Sequence, residues 1–148
     1  MKANELMVGD WVRVKAPYFK KNKAYRVVEV REHGYNGEAT ANIELPDEDD
    51  EASMTGEYII GIPITPEILE KNGFYDTDVI VVGTRKMRWQ SDDTRTEITI
   101  WLDDTLPMEI LKNVYYEDEV SYTLPFPGTV HLLQHALRLC GIEKEIVI

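Results

Sequence analysis

Apolar residues recur with a two-residue period along most of the chain and with a helical period in two places. Between residues 11 and 15, WVRVK puts Val12 and Val14 on one face of an extended segment, and residues 25–31, YRVVEVR, repeat that character. Over residues 39–45 the alternation is cleanest, with Ala39, Ala41, Ile43 and Leu45 set against Thr40, Asn42 and Glu44. Pro46 ends this run, and the acidic residues 47–51 predict a solvated loop because so much like charge cannot pack. Strand character returns at 57–62, EYIIGI, before Pro63. Short strands separated by turns after a GDWV opening predict an SH3-like β-barrel subdomain over residues 1–63.

The second part, residues 64–148, opens with a helix over 65–73. Thr65 serves as N-cap, Pro66 occupies the first helical position, Glu67 meets the positive end of the dipole, and Gly73 closes the helix so that Phe74 folds back on Leu69 or Ile68. Strands follow over about 78–124. Residues 78–90 read as one strand paired as a hairpin with 95–102 across a turn at 91–94, then 108–116 and 120–124 as further strands of a meander, although Met108, Leu111 and Tyr115 also suit a helix over 108–116. Residues 129–141, TVHLLQHALRLCG, predict an amphipathic helix. Val130, Leu132, Leu133, Ala136, Leu137, Leu139 and Cys140 fill one half of its wheel; His131, Gln134, His135 and Arg138 form a surface stripe on the other. A short strand at 143–148 completes an α+β fold.

Composition adds limits to this outline. A chain of 148 residues with 43% hydrophobic and 29% charged content can build one compact domain or two small ones. The net charge of −11 argues against general binding to nucleic-acid phosphates. Its spread is uneven: eight cations stand against four carboxylates through residue 35, leaving that part at +4 and the remainder at −15. With neither an apolar leader nor a run of roughly 20 apolar residues, the expectation is a cytoplasmic protein without membrane contact. Cys140, the single cysteine, falls on the apolar side of its helix and reads as a buried thiol.

The candidate chemistry is sparse. His131 and His135 have the i, i+4 spacing of a zinc pair, but Leu132 stands where a zincin carries its general base. Cys140 lies roughly 180° from His131 and about 140° from His135 around the helix, so it cannot join them on a metal. The acidic run from Asp47 lacks the glycine and terminal glutamate of a calcium loop. No phosphate loop or nucleophile elbow occurs, and no cofactor is expected. What remains is a basic and aromatic set near the N-terminus: Arg13, Lys15, Lys20, Lys21, Lys23 and Arg26 with Trp11, Tyr18, Phe19 and Tyr25. Rings among cations suit single-stranded nucleic acid, whereas a small barrel would use the same rings as core.

Three segments, NELMVGDWV at 4–12, PITPEILEKNGF at 63–74 and VHLLQHALRLCGIEKEI at 130–146, resemble a family of small proteins from gut anaerobic bacteria, often associated with prophages and other mobile elements. The resemblance implies an α+β protein and no particular activity. The expected role is a non-catalytic binding or adaptor protein with a protein partner. Nucleic-acid binding through the basic N-terminal face, and a metal-dependent hydrolase using His131 and His135, are the alternatives.

Overall fold

A computed structural model describes every residue except 21, 35–36, 46–49, 82, 92–94 and 114–116, and the backbone alone of residues 78–81. The chain is mostly β, with two antiparallel five-stranded sheets and two α-helices among the described residues. Its contacts divide it into two compact units, residues 1–63 with 129–135 and residues 64–128 with 136–148. The first two turns of the helix at 130–139 therefore group with the first unit, although the sequence reading assigned that helix to the second part.

The first unit contains β1 (Trp11–Val14), β2 (Ala24–Arg31), β3 (Thr40–Leu45), β4 (Asp50–Thr55) and β5 (Ile59–Gly61), ordered β4-β3-β2-β1-β5. A 3-10 turn, Gly56–Tyr58, leads into β5, and the β2–β3 register shifts between Val27 and Glu29. Val12, Val14, Tyr25, Val27, Ala41, Ile43 and Ile59 form the core with Ala3 and Leu6. Strand β4 stands partly where a solvated loop was expected. It lies at a sheet edge, where Asp50 and Glu51 extend into solvent while the backbone still pairs with β3, so charge does not prevent pairing there. The rest of the acidic run, residues 47–49, lies outside the described residues.

The second unit begins with α1 (Pro66–Lys71). The Thr65 side chain accepts from the Ile68 N–H, as its N-cap position requires. Gly73, at φ +80°, then turns the chain so that its N–H reaches Glu70 O and the Phe74 N–H reaches Leu69 O, with Leu69 and Phe74 both buried. A meander follows through β6 (Tyr75–Val81), β7 (Thr84–Ser91), β8 (Thr96–Trp101), β9 (Met108–Lys112) and β10 (Val120–Leu124), in spatial order β10-β9-β8-β7-β6. The segment expected to be a single strand over 78–90 is two strands, because Gly83 at φ +82° sits at a hairpin in which Val81 pairs with Thr84. Strand β8 is central, so Thr96 to Ile100 are buried on both faces rather than on alternate ones. The β7–β8 hairpin forms with Gln90 opposite Glu97; its turn at 92–94 is outside the described residues.

Helix α2 (Val130–Leu139) ends at Gly141, φ +67°, with the Gly141 N–H on Arg138 O and the Ile142 N–H on Leu137 O. Residues 143–148 form no strand. Asn72 takes the place of a strand partner: its amide donates to Val147 O and accepts from the Val147 N–H, both at 2.8 Å, while also donating to Ile68 O at 2.7 Å. No helix among the described residues is long and apolar enough to cross a membrane.

Candidate functional site

Along α2 and its last turn the buried residues are Val130, His131, Leu133, Gln134, Leu137 and the following Cys140, while Leu132 and Leu139 are exposed. At the standard helical twist this arc is rotated roughly 90° from the half-wheel that apolarity alone selects. His131 and Gln134 thus belong to the interior instead of a surface stripe, His135 is nearly buried, and only Arg138 of the four is exposed.

The cause lies 125 residues away. Asp10 precedes β1 and has the same inward phase as Val12 and Val14, so its carboxylate enters the interior and is wholly buried. Its backbone holds it there: the Val27 N–H donates to Asp10 O at 2.8 Å, and the Gly9 N–H donates to Val27 O at 2.7 Å. A buried carboxylate requires donors. The Met7 N–H supplies one at 2.7 Å, and His135 Nε2 supplies another at 2.8 Å to the same oxygen. Carboxylate acceptance fixes the His135 tautomer with its proton on Nε2.

His131 occupies a different niche one turn earlier. Its Nδ1 shares a 3.0 Å hydrogen bond with Thr129 Oγ1, and its ring meets that of His135 edge-on at 5.8 Å between centroids. Burial lowers its pKa; Asp10 opposes that shift and His135 reinforces it, so the His131 ring is neutral at neutral pH. Gly61 permits this packing, because a Cβ there would stand 2.8 Å from Thr129 Cγ2 and 3.2 Å from His131 Cε1.

The arrangement sets what chemistry these groups can perform. A hydroxyl nucleophile needs one imidazole that touches both the hydroxyl and a carboxylate. Here the Thr129 hydroxyl meets one ring and the Asp10 carboxylate meets the other, so no proton relay joins them. Of the pair with zinc spacing, His131 Nδ1 meets Thr129 and His135 Nε2 meets Asp10, so a metal would fall to His131 Nε2 and His135 Nδ1. Among the described residues, no group of three or more His, Cys, Asp or Glu side chains is placed to hold a metal ion. The cluster is a structural tie between the start of β1 and the first half of α2. Asp10 escaped the sequence reading, and its one local signal is the polar residue at an inward position two before Val12.

The basic and aromatic set divides by strand parity. Directly paired residues share a sheet face, and the register sets Trp11 opposite Arg26 and Arg13 opposite both Ala24 and Ile60. Trp11, Arg13, Arg26 and Ile60 therefore occupy the face of β5-β1-β2 turned away from Val12 and Val14. Lys15 continues the phase of Arg13, is exposed, and donates its backbone N–H to Tyr58 O at 2.8 Å. Tyr25 instead enters the core, where Phe19 meets it edge-on at 5.3 Å. Lys23 lies over the Tyr25 ring at 5.8 Å, Lys20 is exposed, and Tyr18 is 97% exposed. Lys21 is outside the described residues. Cys140 is a buried free thiol whose pKa burial raises, a setting that disfavours the reactive thiolate.

Comparisons with family models, with curated proteins and with solved structures return no match to this chain.

Proposed function

We propose that the protein is a non-catalytic binding or adaptor module whose first unit is an SH3-like barrel and whose partner is a protein segment. The strand order β4-β3-β2-β1-β5, the irregular β2–β3 register and the 3-10 turn leading into β5 support the barrel reading. The observation that carries the binding reading is the in-register gathering of Trp11, Arg13, Arg26 and Ile60 on the face opposite the core, with Ile60 44% exposed. Trp and Arg are the side chains that most often anchor protein interfaces, and an apolar neighbour supplies area between the charges. The complementary segment carries acidic and apolar side chains. Cytoplasmic residence, expected from the sequence, and the mobile-element association that the resemblance implies fit this role.

A photo-cross-linking residue at position 60, followed by mass analysis of adducts formed in the native host, tests it. The reading requires a defined protein adduct that disappears when Arg13 and Arg26 are both changed to Glu in a variant with unchanged melting. Adducts that survive this charge reversal, or that contain nucleic acid, contradict it. The second reading, single-stranded nucleic-acid binding, draws on the exposed Tyr18 ring between Lys15 and Lys20. It requires salt-sensitive gel shifts that the triple change of Lys20, Lys21 and Lys23 to Ala abolishes.

A further inference from the structure

The second unit holds a cleft of about 500 Å³, a volume suited to a small organic ligand. Trp89 forms one wall. Its ring packs against Phe74, with centroids 6.5 Å apart, and stands 3.6 Å from where a Cβ on Gly73 would be, so it is backed by fixed structure. Ile142, which follows the turn ending α2, adds an apolar surface, and Ser91 and Thr96 bring hydroxyl groups.

Two ammonium groups enter this space. Lys112, at the end of β9, donates to Cys140 O at 3.1 Å and so caps the negative end of α2, which places its charge at the cleft. Lys144 lies 4.7 Å from the centroid of the Trp89 ring. Among the described residues that line the cleft Glu143 is the carboxylate and is exposed, so the three charged side chains described there leave a single net positive charge. That balance suits a monoanion better than a phosphate dianion.

We infer that this cleft binds a small carboxylate with an apolar body, the body against Ile142 and beside Trp89, and the carboxylate between Lys112 and Lys144. The two ammonium groups are donors suited to carboxylate oxygens, and Ile142 with the Trp89 side chain gives apolar area beside them. Burial pushes the Lys144 ammonium below its ordinary range, and an anion beside it offsets that desolvation. None of these cleft residues belongs to the first-unit face, so ligand binding here is independent of whether that face binds a protein.

Calorimetric titration of the full chain with 2-naphthoate, 2-naphthamide and inorganic phosphate tests it. Saturable 2-naphthoate binding is expected, with the neutral amide and phosphate each at least about tenfold weaker. Lys144→Gln should weaken 2-naphthoate about tenfold without a change in melting temperature. Lys112→Gln also removes the contact to Cys140 O, so its binding is read alongside circular dichroism, with Lys144→Gln as the independent variant. Absence of saturable heat up to millimolar 2-naphthoate overturns the inference. Equal binding of the amide or of phosphate does so too, as does unchanged affinity in Lys144→Gln.

Discussion

The two units secure distant parts of the chain by different chemistry. In the first, a wholly buried carboxylate, Asp10, meets a histidine 125 positions later. In the second, a neutral amide, Asn72, holds the backbone of Val147 through a donor and an acceptor, 75 positions apart. A buried charge is costly whenever its partner leaves, whereas an amide loses hydrogen bonds of ordinary strength. The first unit should therefore be the more sensitive to loss of a single polar group. Trp11 reports on it and Trp89 and Trp101 report on the second, so single-tryptophan variants can read the units separately.

The largest expected effect comes from His135→Ala, which leaves the Asp10 carboxylate with one fewer donor in the interior. A loss of about 3 kcal/mol is expected in denaturant unfolding followed at Trp11. A loss below about 1 kcal/mol would place the tie among surface contacts. Asn72→Ala should cost the second unit about 2 kcal/mol and speed amide exchange through residues 142–148. Unchanged exchange there would show that the tail is held by Ile142 and Ile146, both buried, without the amide.

Gly61→Ala disturbs the first unit at a smaller scale. The added methyl meets the stiff, β-branched Thr129 side chain, and about 1–2 kcal/mol should be lost from the first unit with the second untouched. The smallest effect concerns pH. His131 has a folded pKa below its ordinary value of about 6.5, so the unfolded chain binds the proton more readily. Its contribution is present above about pH 6.5 and is lost as pH falls through the folded value. His131→Gln should flatten the Trp11-detected stability profile below that point, although Asp10, His135, Glu5 and the N-terminus also act on this ring. An identical slope in the variant would assign the acid sensitivity to another group.

Elements marked by local chemistry were legible in the sequence. Thr65, Pro66 and Gly73 delimit α1 because capping, a missing N–H and a positive φ are properties of single residues. The alternation at 39–45 marks β3 because that strand buries one face. What escaped depends on partners far along the chain. Strand β4 owes its conformation to β3, and β8 is buried on both faces because strands flank it on either side. The face of α2 was misjudged for the same reason. Its seven apolar residues suggest one orientation, but a carboxylate brought inward by β1 pairs with His135 on the side of the helix where His131 and Gln134 are buried, and Leu132 and Leu139 are exposed. Likewise Lys112 and Lys144 share a cleft that no local spacing marks, since a strand end and a helix-exit turn bring them together.

Asp10 and His135 act on each other as an internal tie, and a double-mutant cycle reads that coupling. Asp10→Ala, His135→Ala and the double variant are unfolded in denaturant at neutral pH, with Trp11 as the sole tryptophan. A coupling energy of at least about 1.5 kcal/mol is expected, the double variant being little less stable than the worse single one. Additive losses, with coupling under about 0.5 kcal/mol, would contradict it and return His135 to the set of side chains open to an external partner.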